Sequence, residues 1–295
     1  MLAVIQCLSG RSFSLNRIFR GFISLCRLDK PIGIYLILWP ALAAAIISTD
    51  IVSNARVLFV IVMGSILVRS IGCVINDIFD QNIDAKVERT KSRPLASGEL
   101  STFEGWIIFG LLVLGILGLM FLTNLQTIII SCIFGCFIIA YPLMKRFFLG
   151  PQLFLGITFN PVFIVHALTE SLNFSSIILY LGIFAWVVAF DTYYGLSDIE
   201  DDKELGIHST PLWWKTKTQN LIFLFQGIFL ISLYTIGEIY EFSNIWLIGL
   251  VVMLLLFIYQ FKLARKDNPL AAFKNNNFVG IVMCFFLFLE MNYIA

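Results

Sequence analysis

The stretch Val57–Asp84 reads VLFVIVMGSILVRSIGCVINDIFDQNID. Residues 57–76 are apolar apart from Ser65, Arg69, Ser70 and Asn76, and Asp77, Asp80 and Asp84 follow at once. A run of that length spans a bilayer as a helix. Carboxylates massed at its end are costly unless something positive sits among them. If the helix continues through them, Asp77, Asp80 and Asp84 fall at i, i+3 and i+7 on one face, and Asn76 joins it four residues before Asp80.

A second acidic stretch, from Asp191 through Asp198 to Glu200, Asp201 and Asp202, follows the apolar run 175–194. On a continuous helix Asp191, Asp198 and Asp202 share a face at i, i+7 and i+11, with Asp201 beside them. Of the chain's 19 acids, 12 lie in or beside these two segments. Solvated loop acids would be scattered more evenly, although that bland reading holds individually for Glu88, Glu99, Glu104, Glu200 and Glu204. Hard oxygen donors without His or Cys select Mg²⁺, which takes one or two protein carboxylates and is completed by water and substrate phosphates. The metal-ligand candidates are Asp77, Asp80, Asp84, Asp198, Asp201 and Asp202, two facing clusters around a diphosphate.

The 295 residues are 59% hydrophobic and 13% charged, with a mean hydropathy of +0.90. That composition excludes a soluble globular protein and fits an all-α polytopic membrane protein. The six cysteines form no Cys-x-x-Cys pair, and His166 and His208 are far apart, so zinc chemistry is not expected.

Nine runs reach spanning length, at about 32–48, 57–76, 106–123, 127–144, 152–169, 175–194, 220–237, 245–262 and 277–294. The basic residues test that count. Arg11, Arg17, Arg20, Arg27 and Lys30 precede the first run. Lys86, Arg89, Lys91 and Arg93 follow the second, and Lys145 and Arg146 the fourth. Lys203, Lys215 and Lys217 follow the sixth, and Lys262, Arg265, Lys266 and Lys274 the eighth. Thus 18 of 20 lie on one side, which the positive-inside rule makes cytoplasmic, with the N-terminus inside and the C-terminus outside. Both acidic segments then fall on that side in units of like orientation, suggesting two four-helix halves plus a ninth helix. Residues 1–30 read as a basic cytoplasmic arm and 31–295 as one intramembrane domain. Without acids in residues 1–28, the arm also suits a mitochondrial transit peptide.

Arg69 lies inside the second run, seven residues before Asn76 and so on the same face. A buried arginine there wants a phosphate, a carboxylate of a substrate or an aspartate. The alternative is a structural salt bridge. Lys86, Arg89, Lys91 and Arg93 suit a polyphosphate or anionic lipid heads. Lys145 and Arg146, after Tyr141-Pro142, form another basic pair at that membrane face, suited to substrate or to interfacial anchoring.

These motifs resemble the UbiA-type intramembrane prenyltransferases, and within them the 4-hydroxybenzoate polyprenyltransferases of ubiquinone synthesis. The resemblance runs from about residue 27 to 290. It is carried by Leu28-Asp29-Lys30-Pro31-Ile32-Gly33, Gly72-Cys73-Val74-Ile75-Asn76-Asp77 and Arg89-Thr90-Lys91-Ser92-Arg93-Pro94-Leu95. Further matches are Tyr141-Pro142-Leu143-Met144-Lys145-Arg146, Asp191-Thr192, Gly206-Ile207-His208-Ser209-Thr210 and Asn275-Asn276-Asn277. It implies a nine-helix bundle around a central cavity, in which Asn76, Asp77, Asp80 and Asp84, with Asp191, Asp198, Asp201 and Asp202, bind a prenyl diphosphate through Mg²⁺, with Arg69 near the same site. Two departures stand out. Gly195 replaces the family's usual Ala, and Pro161-Val162 follows Phe159-Asn160 where a Trp-Gly pair is common.

The expected activity is transfer of a long polyprenyl group from polyprenyl diphosphate to the ring carbon ortho to the hydroxyl of 4-hydroxybenzoate. Asp77, Asp191 and Asp198 are the catalytic candidates, Asp191 as proton acceptor or polariser of the phenol. Arg69, Asn76, Lys86, Arg89, Lys91, Arg93, Lys145, Arg146 and Tyr194 are the substrate-binding candidates. Expected partners are the two substrates, Mg²⁺ and the lipid bilayer, with no nucleic acid and no obligate protein. The short arm favours a bacterial inner membrane over a mitochondrial one. Rival readings are another aromatic acceptor (homogentisate, a naphthoate, haem) and a cation-coupled transporter, whose charges would sit near the bilayer midplane.

Overall fold

The structure, a computed structural model, describes residues 15–294; the side chains of Leu15, Lys145, Arg146, Tyr293 and Ile294 lie outside that description. All the regular secondary structure of the described residues is helical, without a strand. In chain order the helices are α1 (Leu15–Leu25), α2 (Ile32–Ser48), α3 (Ala55–Asp84), α4 (Thr102–Met120), α5 (Leu125–Phe147), α6 (Pro151–Thr158) and α7 (Val162–Leu168). Then come α8 (Phe174–Ser197), α9 (Ile199–Glu204), α10 (Thr210–Trp214), α11 (Thr218–Ile239), α12 (Asn244–Ala264) and α13 (Pro269–Leu289). A π-helical turn, Glu290–Ile294, ends the described chain. Among the described residues eight segments are long and apolar enough to cross a membrane, and α2, at 17 residues, is a shorter apolar helix. Together they correspond to the nine runs read from sequence.

Two of these segments depart from a plain rod. Pro161 has no N–H and cannot continue a helix, so the span Pro151–Leu168 is α6 and α7 with a break between them. Asn160 mends the break: its Nδ2 donates to the Tyr180 carbonyl (2.8 Å) and its Oδ1 accepts from Val162 N (3.4 Å). The last helix begins at Pro269, eight residues before its apolar run, with the Asn268 side chain accepting from Ala271 N (3.1 Å) as N-cap.

The chain divides into two compact units. One comprises the residues up to Pro31 with Ser70–Val113. Its loop after Asp84 is tied down from both sides. Thr90 Oγ1 donates to the Asp84 carbonyl (3.0 Å), Gln81 Nε2 to the Leu95 carbonyl (3.1 Å), and Thr102 Oγ1 to Gln81 Oε1 (2.8 Å). Leu95 and Leu100 are its buried apolar plugs. Arg17 fastens α1 to α4 through Glu104 (2.6 Å) and to the Glu99 carbonyl. Cys26 is buried beyond the end of α1, where burial pushes its thiol up to about 12.

The other unit comprises Ile32–Arg69 and Leu114–Ala295. Its core is aromatic: Trp186, Tyr193, Phe229, Trp246 and Phe257 are fully buried. Trp186 stacks on Phe229 (5.3 Å) and meets Phe190 edge-on (5.6 Å). Without a hydrophobic drive between helices in lipid, small residues set how closely they approach. Gly182 of α8 is such a point, since a Cβ there would lie 2.6 Å from Ser232 Cβ of α11. His166 ties α7 to α2 and α8. The Ala44 carbonyl can only accept, so Nε2 carries the hydrogen (3.1 Å) and Nδ1 accepts from Ser176 Oγ (2.6 Å).

Candidate functional site

The first acidic segment is helical to its end, as the spacing required. Asp77, Asp80 and Asp84 close α3 and are 2%, 8% and 7% exposed. Carboxylates so buried need counter-charge, and two arginines supply it. Arg27 Nη2 donates to both oxygens of Asp77 (2.9 and 2.7 Å). Arg93 Nη1 bridges Asp77 Oδ1 (3.0 Å) and Asp84 Oδ2 (2.7 Å). Arg93 was a sequence candidate. Arg27 was not, because a basic residue in an interfacial arm gives no sign of whether it turns inward. Asn76 is half-buried on the same helix. Lys86, Arg89 and Lys91 are exposed on the loop, and Lys91 pairs with Glu88 (2.6 Å).

The second acidic segment corrects one expectation. Asp191, Asp198 and Asp202 do not lie on a continuous helix: α8 stops at Ser197, Asp198 caps it outside helical geometry (φ −111°, ψ 7°), and α9 restarts at Ile199. The Asp198 carbonyl accepts from Asp202 N (2.8 Å), so the break re-aims Asp201 and Asp202 rather than extending the α8 face. Asp191, Tyr194, Asp198, Asp201 and Asp202 are all half-buried. Beneath them Thr192 Oγ1 meets Thr210 Oγ1 (2.8 Å), and Thr210 N donates to Gln152 Oε1 (2.8 Å), clasping α8 to α10 and α6. Gly195 packs into that clasp. A Cβ there would lie 3.0 Å from Gln152 Nε2 and 3.3 Å from Pro211, so the family's usual Ala would require the Gln152 amide to yield.

Arg69 of α3 is half-buried, and its buried Nε has no hydrogen-bond partner among the described residues. Its guanidinium lies 5.6 Å over the Phe159 ring, a cation–π contact created by the α6–α7 break. Gly33 of α2 supports the other side: a Cβ there would meet Arg69 Cζ and Nη2 at 2.7 Å. A partly desolvated guanidinium whose Nε lacks a partner suits a carboxylate or phosphate. Lys145 and Arg146 lie near the end of α5, with their side chains outside the described part.

A hard divalent cation fits the donor chemistry, because both acidic segments offer only oxygen. Among the described residues no three acidic, His or Cys side chains converge enough to enclose an ion, so substrate oxygens would have to complete its shell. That is the habit of Mg²⁺ with diphosphates.

The model of the UbiA prenyltransferase family matches residues 37–288. The chain is 40% identical over 270 residues to a 4-hydroxybenzoate octaprenyltransferase of Ectopseudomonas mendocina, covering 89% of this chain and 90% of that one. It is 38% identical over 288 residues to one from Azotobacter vinelandii, covering 94% and 97%. Among solved structures it is similar to a UbiA homolog from Aeropyrum pernix (TM-score 0.75, 21% identity, 88% and 98% covered). It also resembles one from Archaeoglobus fulgidus bound to GPP and Mg²⁺ (TM-score 0.71, 13% identity, 92% and 99% covered). Those two likenesses carry the fold.

Proposed function

This chain belongs to the UbiA prenyltransferase family, and from that premise we propose that it transfers a long polyprenyl group from polyprenyl diphosphate to the carbon ortho to the hydroxyl of 4-hydroxybenzoate, the ubiquinone-pathway reaction. The observation that carries the reading is the buried set of Asp77, Asp80 and Asp84, with Asp77 and Asp84 interlocked with Arg27 and Arg93. It is a cluster of three carboxylates and two guanidinium groups at the end of a membrane helix, one negative charge in excess. Both substrates suit such a place, one being a lipid and the other water-soluble.

Mg²⁺ held by Asp77, Asp80 and Asp84, and by Asp198, Asp201 and Asp202, would neutralise the leaving diphosphate. The chain's own residues do the rest. Arg93 and Arg27 are placed to exchange a carboxylate for a phosphate oxygen, and Lys86, Arg89, Lys91 and Asn76 add donors as charge grows on the diphosphate. The allylic C–O bond breaks with its electron pair leaving on diphosphate, the ring carbon supplies the pair for the new C–C bond, and the ring proton departs. Asp191 accepts that proton or polarises the phenol. Arg69 holds the benzoate carboxylate, with Lys145, Arg146 and Tyr194 completing the substrate contacts. Exclusion of water protects the allylic cation.

By the same reading the protein works in a bacterial inner membrane with its N-terminus and basic loops cytoplasmic, residues 1–30 forming an arm and 31–295 the working domain. The test is prenylation of radiolabelled 4-hydroxybenzoate by purified protein, with a long-chain prenyl diphosphate, with and without Mg²⁺. A lipid-soluble product that requires Mg²⁺ is expected. Turnover with a different acceptor alone would change the substrate, and none with any aromatic acceptor, from folded protein, would sink the reading.

A further inference from the structure

Three consecutive asparagines, Asn275, Asn276 and Asn277, sit inside α13, where side chains turn by about 100° per residue. Each therefore reaches a different helix. Asn277 Oδ1 accepts from the Trp39 indole of α2 (2.9 Å). Asn276 Oδ1 accepts from the Trp186 indole of α8 (2.8 Å), while its Nδ2 donates to the Ala272 and Phe273 carbonyls (3.0 and 3.2 Å). Asn275 Oδ1 accepts from Gln260 of α12 (3.1 Å), whose Oε1 accepts from Gln226 of α11 (2.9 Å). Asn276, Gln260 and Trp186 are each fully buried.

Apolar side chains of similar size would pack these positions without a desolvation cost. A buried polar pair instead admits one register, since any slip or rotation leaves a donor unpaired. Trp186 lies five residues before Asp191 on the same helix and twelve before Asp198, the residue that caps it. We propose that Asn276, through the Trp186 indole, is a positioning residue that fixes the rotation and height of α8, and so the reach of Asp191 and Asp198, with Asn275 and Asn277 holding α13 itself in register. The inference rests on the reading above, in which Asp191 and Asp198 serve the reaction. Displacements of about 1 Å in such a site cost on the order of a hundredfold in rate.

The experiment measures binding of radiolabelled geranyl diphosphate with Mg²⁺ to the full chain in nanodiscs, alongside melting temperature. The variants are Asn276→Leu, Trp186→Phe, the two combined, and Val279→Ala, a buried apolar truncation on the same helix. Binding should weaken about tenfold in Asn276→Leu and in Trp186→Phe, and no further in the double variant. Val279→Ala should melt earlier and bind as wild type does. Should Asn276→Leu fail to fold, Trp186→Phe decides alone. Wild-type affinity in both single variants overturns the proposal. So does a loss that tracks melting temperature as in Val279→Ala, or a wild type that binds no geranyl diphosphate. A wild type that binds geranyl diphosphate but never prenylates 4-hydroxybenzoate defeats the acceptor reading and leaves this comparison intact.

Discussion

Replacing Gly33 by Ala adds a single methyl group, yet it should disable Arg69. The new Cβ would stand 2.7 Å from Arg69 Cζ and Nη2 and nearer still to Nε. Ordinary contact begins near 3.4 Å. The guanidinium must therefore retreat by most of an ångström, off the Phe159 face it now covers at 5.6 Å. What yields is the end of a flexible side chain rather than backbone, so the fold should lose no more than about 1 kcal/mol, within the range of overpacking. A charge-assisted hydrogen bond is worth about 1.5–3 kcal/mol, and losing it weakens the carboxylate ligand by about 10- to 100-fold. Initial rates at varied 4-hydroxybenzoate should show KM raised by about that factor in Gly33→Ala, matched by Arg69→Ala, with the KM for prenyl diphosphate little changed. An unchanged KM for 4-hydroxybenzoate in folded Gly33→Ala protein would refute the role given to Arg69. An equal rise for both substrates would mean that Arg69 holds phosphate instead.

Asp77→Ala and Asp198→Ala should each abolish Mg²⁺-dependent prenylation, and failure of either to do so would remove that residue from the site. Arg93→Ala leaves the buried Asp77 and Asp84 short of a partner and should cost about 3 kcal/mol of stability; an unshifted melting curve would show that the bridge contributes nothing. The Cys26 thiol, pushed up to about 12 chiefly by burial, should resist iodoacetamide from pH 7 to 9 in folded protein and react there once unfolded. Its folded pKa lies above the free-thiol value, so its contribution to stability is full below about pH 8.5 and is lost as pH rises toward 12. Mass mapping of alkylated Cys26 checks this.

The spans were legible because hydropathy decides what can leave water, and the face shared by Asp77, Asp80 and Asp84 because α3 does not break. The break at Asp198 was not, since nothing in Leu196-Ser197-Asp198-Ile199 forbids a helix. The early start of α13 was masked by Asn275, Asn276 and Asn277, which read as loop until their buried partners are seen. Pairing of Arg27 with Asp77 joins residues 50 apart in sequence, a distance over which local pattern carries no information. Arg69 was flagged by its charge within an apolar run, but Phe159 beneath it could only be seen after Pro161 had broken the helix.

The arginines on the first acidic set also bear on how the chain is made. A nascent segment carrying Asp77, Asp80 and Asp84 reaches the membrane with three negative charges at its end. Arg27 has already emerged by then, and Arg93 follows Asp84 by only nine residues. Neutralising partners are thus at hand within a few seconds of synthesis at about 5–20 residues per second, before most of the other helices exist. Two of the three charges need not wait for the rest of the bundle, so on the reading proposed above biogenesis and chemistry draw on the same two guanidinium groups.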